Sequence, residues 1–221
     1  MVSKRSHSSD PAAEALERLR AGNARFIGGK AHFPRTSRTV LAALAREQQP
    51  QVTILGCSDS RVPPELLFDA GFGELFVVRV AGNVFSSEVA GTLQYAGMHL
   101  RTPLFVVLGH EGCGAVQAAL AAKFDGARAH SRIEVLLQSI LPGLAEVDPA
   151  LSAQKRLRAG IEANVRWSLR QILESPEGRA RRVEGRMKLV GAVADLSTGV
   201  VRFLDAPLDN RRTGKSSGSR S

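Results

Sequence analysis

Three short apolar runs rich in β-branched residues punctuate the first half of the chain: Val52–Gly56, Leu75–Val80 and Leu104–Gly109. Their apolar character is continuous rather than alternating, which marks strands buried on both faces. Helical patterns fall between and after them. Pro63-Pro64 opens a short helix, with Glu65 near its positive end. Ser86-Ser87-Glu88 caps a second, whose Val89, Leu93, Ala96 and Leu100 share one face. Arg101-Thr102-Pro103 stops it, and after the third run Gly112 to Lys123 is Ala-rich and helical. Strands that alternate with helices in this way predict a parallel sheet with right-handed crossovers.

The flanks complete the pattern. Asp10-Pro11 reads as a helix N-cap and first position, followed by a stripe of Leu16, Leu19 and Phe26 that ends at Gly28-Gly29. Thr39 to Arg46 is a further short helix. Ser131 to Leu173 is mostly helical, broken near Pro142-Gly143 and Pro149, and Pro176 to Arg186 reads as a charged connection. Leu189–Ala194 and Val200–Leu204, joined across Ser197-Thr198-Gly199, read as the last strands. The predicted fold class is therefore α/β: a mostly parallel central β-sheet with crossover helices and an N-terminal helical arm. We expect disordered residues 1–10, a single domain over 11–205, and a basic, Gly/Ser-rich disordered tail over 206–221.

Composition changes this picture little. The chain has 221 residues, enough for one sizeable core, and no apolar run approaches the ~18 residues of a membrane span. Lys4 and Arg5 are followed by no apolar segment, so no secretory signal is expected. The net charge of +9 suggests nucleic acid until the charges are located. Arg211, Arg212, Lys215 and Arg220 lie in the tail with no acid among them, and no basic strand carries interleaved aromatics for stacking bases. Neither a nucleic-acid nor a membrane partner is expected.

Chemistry concentrates at two strand ends. Cys57-Ser58-Asp59-Ser60-Arg61 follows the first run and His110-Glu111-Gly112-Cys113 follows the third, and these hold the only cysteines. In open parallel sheets the carboxyl ends of strands line the ligand crevice. Two thiolates and an imidazole form a set suited to Zn²⁺, and three protein ligands leave the fourth position open, as in catalytic sites. The plainer alternative is two buried small side chains. Against it stand Asp59 and Arg61, ionisable groups where a core would have none. With both cysteines given to a metal, none remains for a disulfide, which suits a cytoplasmic location.

Cys57-x-Asp59-x-Arg61 and His110-x-x-Cys113 resemble the two motifs of the β-class carbonic anhydrases. Gly22-Asn23-Ala24-Arg25-Phe26, Gly73–Arg79, Glu162–Val165 and Gly191–Gly199 resemble further segments of that family, and the likeness spans about residues 15 to 205. It implies reversible hydration of carbon dioxide to bicarbonate and a proton by a zinc-activated water, with one Zn²⁺ per chain on Cys57, His110 and Cys113. Asp59 would orient the nucleophile, held by Arg61, or become a fourth ligand in a closed state. The resemblance also implies substrate-side roles for Gln48, Phe76, Tyr95, Arg79 and Gly82. It implies an N-terminal arm packed on a second subunit, and a homodimer or homotetramer with sites at the interface. Two alternatives stay open: a carbon disulfide or carbonyl sulfide hydrolase on the same site, and a zinc-stabilised nucleic-acid-binding protein.

Overall fold

The computed structural model describes residues 10–32, 37–128, 132–183 and 187–204. Five strands form one sheet: β1 (Val52–Gly56), β2 (Leu75–Arg79), β3 (Leu104–His110), β4 (Lys188–Ala194) and β5 (Val201–Leu204). Their order is β2-β1-β3-β4-β5, with the first four parallel and β5 antiparallel to β4. Gly56 stands opposite both Arg79 and Leu108, so β1 stops two residues before the end of β3. Cys57 therefore leaves the sheet beside the last residues of β3, and the pairing register alone brings it towards His110.

Every residue of β1 and of β3 is buried. Ile54, Val106 and Leu108 join one core with Leu16, Leu19 and Phe68, whereas Leu55, Phe105 and Val107 join the other with Val116, Leu144 and Val165. Alternate side chains of one strand feed opposite layers, which is why the apolar runs show no alternation.

The first layer contains α1 (Pro11–Ile27) and α3 (Pro64–Leu67). Asp10 caps α1 by accepting from the Ala12 N–H at 3.0 Å, and Ala12, Ala15, Leu16 and Leu19 are buried. Gly22 lies so close to α3 that a Cβ there would sit 1.8 Å from the Phe68 carbonyl oxygen. Asn23 donates to the carbonyls of Leu67 and Gly199 and accepts from the Val201 N–H, fastening the helix to the β4–β5 hairpin. Arg25 pairs at 2.6 Å with the buried carboxylate of Asp69. Through these residues the helix packs on its own chain's sheet.

The other layer holds α4 (Ser87–Tyr95), α5 (Gly114–Phe124), α6 (Arg132–Ile140) and α7 (Ala153–Glu174); α2 (Arg38–Leu44) buries no residue. Ser86 caps α4 through the Val89 N–H, and a wider turn over Ala96–Leu100 ends at the left-handed Arg101.

One expectation is corrected. In the sequence Pro176 to Arg186 reads as a charged connection, but Pro176–Val183 is a helix, α8. Ser175 Oγ accepts from the Gly178 N–H at 3.0 Å, Pro176 needs no donor, and Glu177 lies in the first turn. Gly178 suggested a loop, yet it serves packing: a Cβ there would meet the Ile172 carbonyl oxygen at 1.9 Å. The readings made for residues 1–9 and 206–221 lie outside the described residues.

Candidate metal centre

His110 ends β3 and Cys57 follows β1 directly. Gly112, in the left-handed region at φ 64°, turns the chain so that Cys113 stands at the N-cap of α5. The three side chains are buried, and their ligand atoms all lie within 4.8 Å of one another. His110 Nδ1 lies 2.9 Å from the Glu111 carbonyl, an oxygen that can only accept, so Nδ1 carries a proton and in the neutral ring Nε2 holds the lone pair. That Nε2 is buried and meets no hydrogen-bond partner among the described residues. A lone pair left bare in the interior is costly unless something else binds it.

The electrostatics agree. A hydrogen bond from the Cys113 thiol, opposed by burial and helped by His110 and neighbouring backbone, pulls the Cys57 thiol well down. The same hydrogen bond, with burial, pushes Cys113 up. Burial lowers the pKa of His110, but the Cys57 sulfur, the Glu111 carbonyl and Asp59 together carry it above its ordinary value. The pocket thus already favours an anionic sulfur at Cys57, the form in which a cysteine binds metal. This donor set fits Zn²⁺.

At the mouth, Asp59 accepts three bonds from Arg61: backbone N–H to Oδ1 at 3.0 Å, Nε to Oδ1 at 2.9 Å and Nη2 to Oδ2 at 2.7 Å. The Arg61 side chain, opposed by a little burial, holds the Asp59 carboxyl well below the usual carboxylate range. Its Oδ2 lies 3.9 Å from His110 Nε2. Asp59 is thus turned to Arg61 and lies beside the trio.

Arg79, for which the resemblance implies a substrate-side role, holds backbone beside the trio. Its Nε donates to the Cys57 carbonyl at 2.9 Å and its Nη2 to the Asp59 carbonyl at 2.5 Å. Gly82 lies in the turn Ala81–Asn83, where its N–H approaches Cys57 Sγ at 3.4 Å. Sequence reasoning missed two residues here. From α7, Asn164 Nδ2 donates to the Gly82 carbonyl at 2.7 Å and Ser168 Oγ to the Asn83 carbonyl at 2.9 Å. The available signal was two polar residues four apart in a run with Ile161, Val165, Leu169 and Ile172.

The other expected substrate-side residues lie farther out. Phe76 and Tyr95 are ring neighbours at 6.2 Å, Phe76 on β2 three residues before Arg79 and Tyr95 exposed on α4. Gln48 is exposed and precedes β1, so the five residues of that strand, at about 3.3 Å each, put about 17 Å between it and Cys57. The structure does not bring Gln48 to its own chain's cysteines. A cleft of about 1140 Å³ opens at the amino ends of β3 and β4, near Pro103 and Lys188, and includes none of the trio.

Residues 52–201 match the family model described as carbonic anhydrase. The chain belongs to the carbonic anhydrase family. Carbonic anhydrase 2 of Mycobacterium tuberculosis is 43% identical over 149 residues, covering 64% of this chain and 72% of that protein. A carbonic anhydrase of Mycolicibacterium smegmatis is 41% identical over 137 residues, covering 62% and 66%. Among solved structures, the β-carbonic anhydrase of Coccomyxa in complex with acetazolamide is similar at a TM-score of 0.69 and 26% identity, covering 87% of this chain and 85% of that one. This places the carbonic anhydrase in the β class and makes it a lyase whose family reaction is the hydration of carbon dioxide. No helix among the described residues is long and apolar enough to cross a membrane.

Proposed function

We propose that Cys57, His110 and Cys113 hold one Zn²⁺ per chain, and that the centre catalyses the reversible conversion of carbon dioxide and water to bicarbonate and a proton. The convergence of two sulfurs and a bare, buried imidazole nitrogen beside a carboxylate locked to arginine carries this reading. Zinc in such a site supplies a Lewis acid that makes water nucleophilic near neutral pH. Asp59, kept ionised by Arg61, accepts a hydrogen bond from the attacking water and aims its lone pair at the carbon. Arg79 fixes the backbone on either side of Ser58, so that ligand and carboxylate keep one spacing. In a closed state Asp59 would leave Arg61 and act as a fourth ligand, stopping turnover.

Carbon dioxide carries no charge, so its slot should be apolar. Phe76 and Tyr95 are proposed for that wall and Gly82 for its floor. Gln48, being at the far end of β1, would serve only a site on a second subunit, in keeping with a homodimer or homotetramer. The protein would work in the cytoplasm with carbon dioxide and bicarbonate as its small-molecule partners. Metal analysis should find one zinc per chain, and Cys57→Ser or Cys113→Ser should lose metal and hydratase activity together. Two freely titratable thiols and no metal in active protein would overturn the proposal. Running carbon disulfide beside carbon dioxide tests the substrate, and a zinc protein without hydratase activity but with salt-sensitive nucleic-acid binding would favour the binding role.

A further inference from the structure

The turn that meets the Cys57 sulfur is not held by its own sequence. Gly82 and Asn83 are consecutive residues in the left-handed region, at φ 65° and 44°. A Cβ at Gly82 would meet Ile140 Cδ1 at 2.9 Å and Ala115 Cβ at 3.1 Å, so conformation and space both demand glycine. Two side chains on one face of α7 pin the two successive carbonyls: Asn164 that of Gly82, Ser168 that of Asn83. Both are buried, among neighbours on the same helix that are apolar. Asn164 Oδ1 is itself left without a partner among the described residues. An amide buried for a single good hydrogen bond is a poor choice for packing alone.

We infer that Asn164 is a positioning residue for the metal centre, acting through Gly82: it holds the Ala81–Asn83 turn so that the Gly82 N–H hydrogen-bonds the Cys57 sulfur. The inference rests on the reading of Cys57 as a metal ligand. An N–H aimed at a thiolate stabilises its negative charge and fixes the lone pair left for the metal. Without Asn164 the left-handed pair is free to relax, and the amide leaves the sulfur. Arg79 would still hold the Cys57 carbonyl, so the ligand would stay near its place with its sulfur less well defined.

The test uses the full chain with Asn164→Leu, which matches the side chain roughly in volume, and Asn164→Ala in case the first does not fold. Asn23→Ala is the control: it removes three hydrogen bonds of a buried asparagine between α1, α3 and the β4–β5 hairpin. Two readouts do not depend on turnover: zinc affinity by competition with a chromophoric chelator, and the sulfur-to-metal charge-transfer band of cobalt-substituted protein. Both Asn164 variants should bind zinc about 10-fold more weakly and shift the band, while Asn23→Ala should lower thermal stability and leave both readouts at wild type. Folded Asn164 variants with wild-type affinity and band would overturn the inference. So would equal changes in Asn23→Ala. Wild-type protein that takes up neither zinc nor cobalt would instead remove the metal-site reading beneath it.

Discussion

Replacing Arg79 with alanine separates two accounts of the site. If Arg79 binds bicarbonate, as the resemblance suggested, its loss should fall on KM. The hydrogen bonds place it instead on the carbonyls of Cys57 and Asp59. Each is a bond from a charged donor, worth about 1.5–3 kcal/mol when well shielded. Arg79 is only half-buried, and water can replace part of what is lost, so about 2 kcal/mol for the pair sets the scale. If that anchoring is needed only when Asp59 must face the nucleophile, it appears as a drop in kcat of about 30-fold.

The assay is stopped-flow hydration of carbon dioxide with a pH indicator, run with metal content measured on the same sample. We expect Arg79→Ala to keep its zinc, to lose about 30-fold in kcat, and to change KM by less than about threefold. Arg79→Lys keeps the charge but has no fork to span two carbonyls, and should recover only part of the loss. A variant with unchanged kcat and a KM raised at least about 10-fold would put Arg79 on the substrate and refute the clamp.

Arg61→Ala should retain zinc and lose about 100-fold in turnover, because Asp59 loses all its side-chain partners on that residue; near wild-type activity at neutral pH would contradict the dyad. The Asp59 carboxyl is depressed in the folded protein, so the stability it contributes is present above the ordinary carboxylate range and lost as pH falls through the folded value. The small difference in thermal midpoint between wild type and Arg61→Ala should therefore hold from about pH 8 to about pH 5, begin to narrow below about pH 4 and go on closing as pH falls further, read by scanning fluorimetry. Removing residues 211–221 should leave hydratase activity intact, since none of the proposed site residues lies there; loss of most turnover in a folded truncated protein would assign the tail a role.

The strands and both cysteine-containing motifs were legible in the sequence because each reports a local rule. Val52–Gly56 and Leu104–Gly109 are short, continuous and β-branched, and the polar residues that follow them put Cys57 and His110 at strand ends. Asp59 and Arg61 stood out because charge is rare beside such a run. What was not legible depends on distant contacts. Arg79 ends a strand and gives no sign that it turns back to the carbonyls of residues 57 and 59. Asn164 and Ser168 act on a turn more than 80 residues earlier. The helix at Pro176–Val183 was a different kind of miss: Ser175-Pro176-Glu177 is a good helix start, but Gly178 and the charged residues after it outweighed that signal.

The placement of α7 ties these observations together. Gly109 and Gly191 face this helix from β3 and β4, where a Cβ would meet Val165 Cγ2 at 2.6 Å and Leu169 Cδ1 at 2.9 Å. Side chains at those positions would push the helix off the sheet, and Asn164, next to Val165, would withdraw from the Gly82 carbonyl. Gly109 also directly precedes His110, so the close approach is made where the imidazole leaves the sheet. The candidate metal centre is therefore built from two directions. Strand register sets how near Cys57 and His110 come, whereas a helix laid against glycines sets what the Cys57 sulfur can accept. Only the first is written in contiguous residues, which explains why the candidate ligands stand out in the sequence while their supports do not.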